Sequence, residues 1–153
     1  MEEKEKIIKR LNSSEVIPTD ELDALLRSED KDLKYEAWNY VLRHQNDLGK
    51  EYLIQLLRFD DTGTRYRAWN EVPNFISNNV FAVEDVRKNV EYFFQLLKDQ
   101  NLTVRLLSWY VTLIPLINVG VISREEVTPY LKWLCELKDE VLNEVKDELG
   151  IRC

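Results

Sequence analysis

Apolar residues recur along the chain at intervals of three and four, in blocks parted by short polar or acidic turns, the period of helices that bury one side. The pattern predicts helices over 3–11, 19–27, 32–45, 50–58, 64–77, 83–98, 102–118, 123–137 and 140–149. Asn12-Ser13-Ser14 ends the first, and Pro18-Thr19-Asp20 opens the second with a polar cap. Gly49, Gly120 and Gly150 fall where later helices should stop. Ser123 and Glu126 have the spacing of a capping box. Pro73 and Pro115 lie inside predicted helices and should bend or break them, as Pro129 should the helix over 123–137.

The blocks are not independent. Leu25-Leu26 is followed by Ala37-Trp38, Leu56-Leu57 by Ala68-Trp69, and Leu96-Leu97 by Ser108-Trp109, with the same spacing from second leucine to tryptophan each time. Self-similarity at roughly 30 to 40 residues marks stacked helical repeats, in which one helix pair cannot hide its apolar face alone. Trp38, Trp69 and Trp109 are expected to form a shared core ladder, beside small residues that let helices approach closely.

The aligned triplets Leu33-Lys34-Ala37, Thr64-Arg65-Ala68 and Val104-Arg105-Ser108 carry a resemblance to HEAT-like helical repeats over 19–149. That family's acidic residue six before the basic one is present once, as Asp99 before Arg105; Ser28 and Phe59 stand there in the first two units. A fourth unit is degenerate, with Val141 and Val145 in place of the anchors and no tryptophan on its second helix. The resemblance implies an all-α fold: a single domain over 1–153, built as a short right-handed α-solenoid of about four antiparallel helix pairs with an N-terminal helix.

Composition narrows the functional classes. A formal net charge of −7 repels phosphate backbones at long range. The N-terminal stretch 1–12 is charged and amphipathic, with Ile7, Ile8 and Leu11 on one side, and no apolar run is long enough for a signal peptide or a membrane span. Two cysteines make no disulfide framework: Cys135 reads as a small core residue and Cys153 as the last residue, so a reduced, cytoplasmic protein with no membrane partner is expected. The single histidine, His44, has no ligand set around it and reads as a helix-end residue. The four glycines are isolated, so no phosphate loop exists, and the paired acids at turns read as helix caps. No catalytic residue, metal or cofactor is expected.

The outer faces of the second helices remain. With Leu33, Ala37 and Val41 inward, Tyr35, Glu36, Asn39 and Arg43 face out, and Tyr66, Arg67, Asn70 and Asn74 repeat this in the next unit. The third unit puts Leu106, Leu107, Tyr110 and Ile114 there. A helix apolar all round must be covered, either by another part of the chain, such as 1–12, or by a partner. The expected function is therefore a non-catalytic scaffold or adaptor that binds another protein, or itself, through Leu106, Leu107, Tyr110 and Ile114, rimmed by Tyr66, Arg67 and Asn70. The alternative is a nucleic-acid-binding module that offers Lys34, Arg65 and Arg105 to phosphate, as HEAT-like arrays resembling DNA alkylation-repair glycosylases do.

Overall fold

The structure, a computed structural model, describes residues 2–153; Met1, part of the predicted N-terminal amphipathic stretch, lies outside it. The described residues are helical, with no strand. They fall into two compact units, Met1–Leu53 and Ile54–Cys153.

In the first unit α1 (Glu2–Leu11) and α2 (Thr19–Leu26) both pack against α3 (Lys31–Arg43). Leu11, Leu22, Leu26, Ala37, Trp38 and Val41 form the dry interior, so the tryptophan and small residue of the first repeat are core as predicted. Polar side chains fix the chain around it. Arg43 donates to the Leu11 carbonyl at 2.8 Å, closing the end of α1. Arg10 grips Glu21 on α2 through two nitrogens, at 2.6 and 3.1 Å. The Tyr40 hydroxyl accepts from the Ile17 backbone at 3.0 Å, and Tyr52 donates to Asp23 at 2.6 Å, which together with burial holds the Tyr52 phenol far above its usual range. The helix after α3 departs from the prediction. Gly49 ends no helix; it interrupts α4 (Gln45–Leu56) at φ 84°, where a side chain would be strained, so a single helical turn precedes the predicted 50–58 helix.

The second unit repeats one design twice. Its helices are α5 (Thr62–Ser77), α6 (Val83–Arg87), α7 (Val90–Leu97), α8 (Leu102–Leu107), α9 (Leu113–Asn118), α10 (Leu131–Cys135) and α11 (Leu142–Leu149). The equal leucine-to-tryptophan spacing has a concrete cause. Trp69 Nε1 donates to the Leu57 carbonyl at 2.9 Å, and Trp109 Nε1 to the Leu97 carbonyl at 2.8 Å, each bond reaching back twelve residues. Both acceptors lie at the C-terminal end of a helix, where carbonyls have no intrahelical donor. The indole is fully buried in each case. Across the same turns Asp61 accepts from the Thr64 N–H, and Asn101 from those of Thr103 and Val104, as Asp30 does for Asp32 and Leu33 in the first unit.

Three elements differ from prediction. The 83–98 helix is broken between α6 and α7 because the buried Asn89 turns its amide onto the Asp85 carbonyl at 3.1 Å, competing with the helical ladder. Pro73 does not break α5, which runs through it. The 102–118 helix is continuous but widens into a π turn over Ser108–Thr112, where the Leu113 N–H reaches the Ser108 carbonyl. Two side effects of sequence meet there. Ser108 Oγ donates back to the Val104 carbonyl at 2.7 Å, and Pro115 deprives the Val111 carbonyl of its ordinary donor, so the ladder slips by one residue between them. Pro129 acts as expected, for the segment Glu125–Tyr130 is a 3-10 helix and α-helix resumes only at α10. Of the predicted capping box, one half forms: Glu126 accepts from the Ser123 N–H at 2.8 Å. Glu126 also holds Arg87, which keeps its carboxyl below the usual range.

The cysteines correct the sequence reading. Cys135 and Cys153 form a disulfide, so Cys135 is half-buried rather than a core thiol, and the C-terminal residue is tethered. Gly150, at φ 68°, ends α11 in the left-handed conformation and lets the Ile151 N–H return to the Lys146 carbonyl, which turns the last residues back toward the end of α10.

Two outcomes follow. Trp109→Phe keeps a buried ring but strands the Leu97 carbonyl, so urea unfolding should show a loss of at least about 1–3 kcal/mol; an unchanged midpoint would remove the indole bond from the account. Closing a loop of 18 residues should contribute on the order of 3 kcal/mol. Unfolding with and without reductant should differ by that amount, and Cys153→Ser should abolish the difference.

Candidate interaction surface

The predicted surface lies on the helix over 102–118, which α8, the π turn and α9 make up. Arg105, Ser108, Trp109, Thr112, Leu113 and Leu116 form its buried stripe. Behind them the π turn packs on α5, α7 and α11.

On the outer side Leu106, Leu107 and Ile114 are half-buried, and Tyr110 is 38% exposed. Two residues that the sequence reading passed over are as open or more so: Leu102 at 61% and Val111 at 39%. Leu102 lies one turn before Leu106, so four-residue spacing extended backward would have found it. Val111 lies within the widened turn. Beside Leu102 and Leu106 lies a shallow groove of about 230 Å³, whose other wall is Thr103, Leu137, Lys138 and Asp139.

The expected polar rim is only partly a rim. Tyr66 is half-buried, its phenol raised above the usual range by burial, and it accepts from Thr112 Oγ1 at 3.2 Å. The same hydroxyl lies 2.9 Å from Asn70 Oδ1. Tyr66, Asn70 and Thr112 therefore form a seam that ties α5 to the π turn, with Asn70 still reaching solvent. Arg67 is half-buried.

The aligned bases are drawn into the turns. Arg65 donates to the Phe59 carbonyl at 2.6 Å, and Arg105 Nε to the Asp99 carbonyl at 2.9 Å, each six residues back. Arg105 adds a 3.0 Å bond to Glu136, with its side chain 9% exposed. A guanidinium so enclosed presents little to a phosphate. Lys34, at the matching position of the first unit, is half-buried. His44 follows α3, stacked on Tyr40 at a centroid distance of 4.1 Å and 3.7 Å from Asp47. Among the described residues no group of three His, Cys, Asp or Glu side chains is placed to hold a metal ion, and no helix is long and apolar enough to cross a membrane.

Arg105→Ala leaves the Asp99 carbonyl and Glu136 without their donor. A loss of about 1.5–3 kcal/mol in urea unfolding is expected, with no change in oligonucleotide binding; weaker oligonucleotide binding at unchanged stability would restore the phosphate role. Comparison of the chain with protein-family models, curated proteins and solved structures returns no match.

Proposed function

We propose that the chain is a non-catalytic scaffold or adaptor, a short right-handed HEAT-like α-solenoid that engages another protein or a second copy of itself through the outer face of its third repeat. The observation that carries this reading is one helix bearing Leu102, Tyr110 and Val111 open to solvent, with Leu106, Leu107 and Ile114 half-covered beside them. Leucine at more than half exposure on a helix otherwise packed on both flanks is a feature of surfaces that are covered in use. Tyr110 supplies a large amphipathic side chain of the kind that anchors interfaces, and the groove beside Leu102 fits a partner's aliphatic side chain.

The repeat reading is supported by the bonds that recur at the same offsets in successive units, since a repeated turn built from the same carbonyls is what a stacked array requires. A cytoplasmic location would leave the Cys135–Cys153 bond subject to reduction, so the reading is compatible with that compartment only if the fold survives as the dithiol.

The test is a Leu102→Glu/Tyr110→Glu double variant, whose exposed positions leave the fold intact by circular dichroism. Sedimentation should show loss of self-association, or affinity capture from native lysate should show loss of a stoichiometric protein. A wild type that is monomeric and captures no protein, or captures the same protein as the variant, sinks the proposal.

A further inference from the structure

Trp133 stands outside the repeated tryptophans. Trp38, Trp69 and Trp109 are buried, whereas Trp133, on α10, is half-buried. Around it lies an aromatic cluster built from three elements: Phe94 of α7 stacks on Tyr130 of the 3-10 segment at 5.0 Å between centroids, and Tyr130 meets Trp133 at 6.2 Å. Two ammonium groups lie on these rings. Lys98 Nζ is 5.7 Å from the centroids of both Tyr130 and Trp133, and Lys132 Nζ is 4.9 Å from that of Trp133.

Neither lysine is buried. Both are exposed, and among the described residues neither forms an ion pair, in a chain whose acids outnumber its bases 28 to 21. Arg65, Arg87 and Arg105 of the same unit are by contrast bonded to carbonyls or carboxylates. Two ammoniums without an ion pair thus lie over a part-open indole. Cation–π contact holds the two charges in place without cancelling them.

We propose that Lys98, Lys132, Trp133 and Tyr130 form a docking site for a short acidic peptide segment that carries an apolar or aromatic side chain. Its carboxylates pair with the two ammoniums while the apolar group lies against the indole and phenol rings. The two fixed positive charges exclude a cationic ligand from the rings. A nucleic acid strand would also find ring faces and ammoniums here, but the net charge of −7 opposes a polyanion more strongly than a segment of two or three carboxylates. Glu91 acts on the Tyr130 hydroxyl from the other end of α7, so the acidic part of the ligand is directed to the Lys98 end. The site is independent of the face on α8 and α9.

The experiment pans a random peptide display library on the full chain, then titrates the selected peptides by calorimetry. Targets are the wild type, a Lys98→Ala/Lys132→Ala variant, Trp133→Phe and the Leu102→Glu/Tyr110→Glu variant. Enriched sequences should be acidic with an apolar or aromatic residue. Their affinity should fall at least about tenfold in the lysine variant, fall with added salt, and be unchanged in the Leu102→Glu/Tyr110→Glu variant, which separates this site from the other face. Binding should also change the fluorescence of Trp133, a signal that Trp133→Phe removes. Three results would overturn the proposal: no acidic enrichment, selected peptides that bind the lysine variant equally well, or an oligo(dT) strand that binds the wild type and not the lysine variant while acidic peptides do not.

Discussion

A buried carbonyl at the end of a helix needs a donor, and in this protein a tryptophan from the following helix provides it. The indole N–H of Trp69 on Leu57, and of Trp109 on Leu97, does two things at once. It satisfies a main-chain group that the helix cannot satisfy itself, and it brings the largest apolar side chain of the second helix to the end of the first. The bond fixes where the second helix begins relative to the first, so the turn between them has little freedom left. Asp61 or Asn101 then caps the new helix, and Arg65 or Arg105 takes a second carbonyl from the same turn. These two turns are thereby closed by side chains of the second helix and its cap.

This arrangement explains why the position six before each base need not be acidic. An acidic residue six positions before the base was expected to pair with it, yet only Asp99 is present. Arg65 and Arg105 both donate to the main-chain carbonyl at that position, which Phe59 and Asp99 offer alike. The side chain there is free to vary because the acceptor is the backbone. The sequence reading saw the right alignment and the wrong atom.

What was legible divides along the same physical line. Helix positions, the Ser123–Glu126 pair and the buried tryptophans follow from short-range chemistry that period and composition encode. What was missed depends on groups distant in the chain or on competition within one turn. Asn89 breaks a helix with its own amide, Gly49 interrupts one where it was expected to end one, and the π turn needs both Ser108 and Pro115. The Cys135–Cys153 bond could not be read from spacing, since it depends on where Gly150 sends the chain after α11. On the candidate face the composition was legible, Leu106, Leu107, Tyr110 and Ile114 all lying outside the buried stripe, but their degrees of exposure were not. Those depend on which neighbours arrive, and α11 arrives from the far end of the unit.

The degenerate fourth unit is where these constraints meet. Its second helix, α11, lacks the tryptophan that would bond a carbonyl at the end of α10, so the turn between them is not closed in the way the earlier turns are. The disulfide joins the last residue of α10 to Cys153, beyond α11. With the indole released from that duty, the tryptophan of this unit lies instead on α10, part-open, under two lysines. A residue type spent on structure in the earlier repeats is therefore available at the surface in the last. The change of position, rather than any new residue type, is what makes this end of the unit chemically distinct.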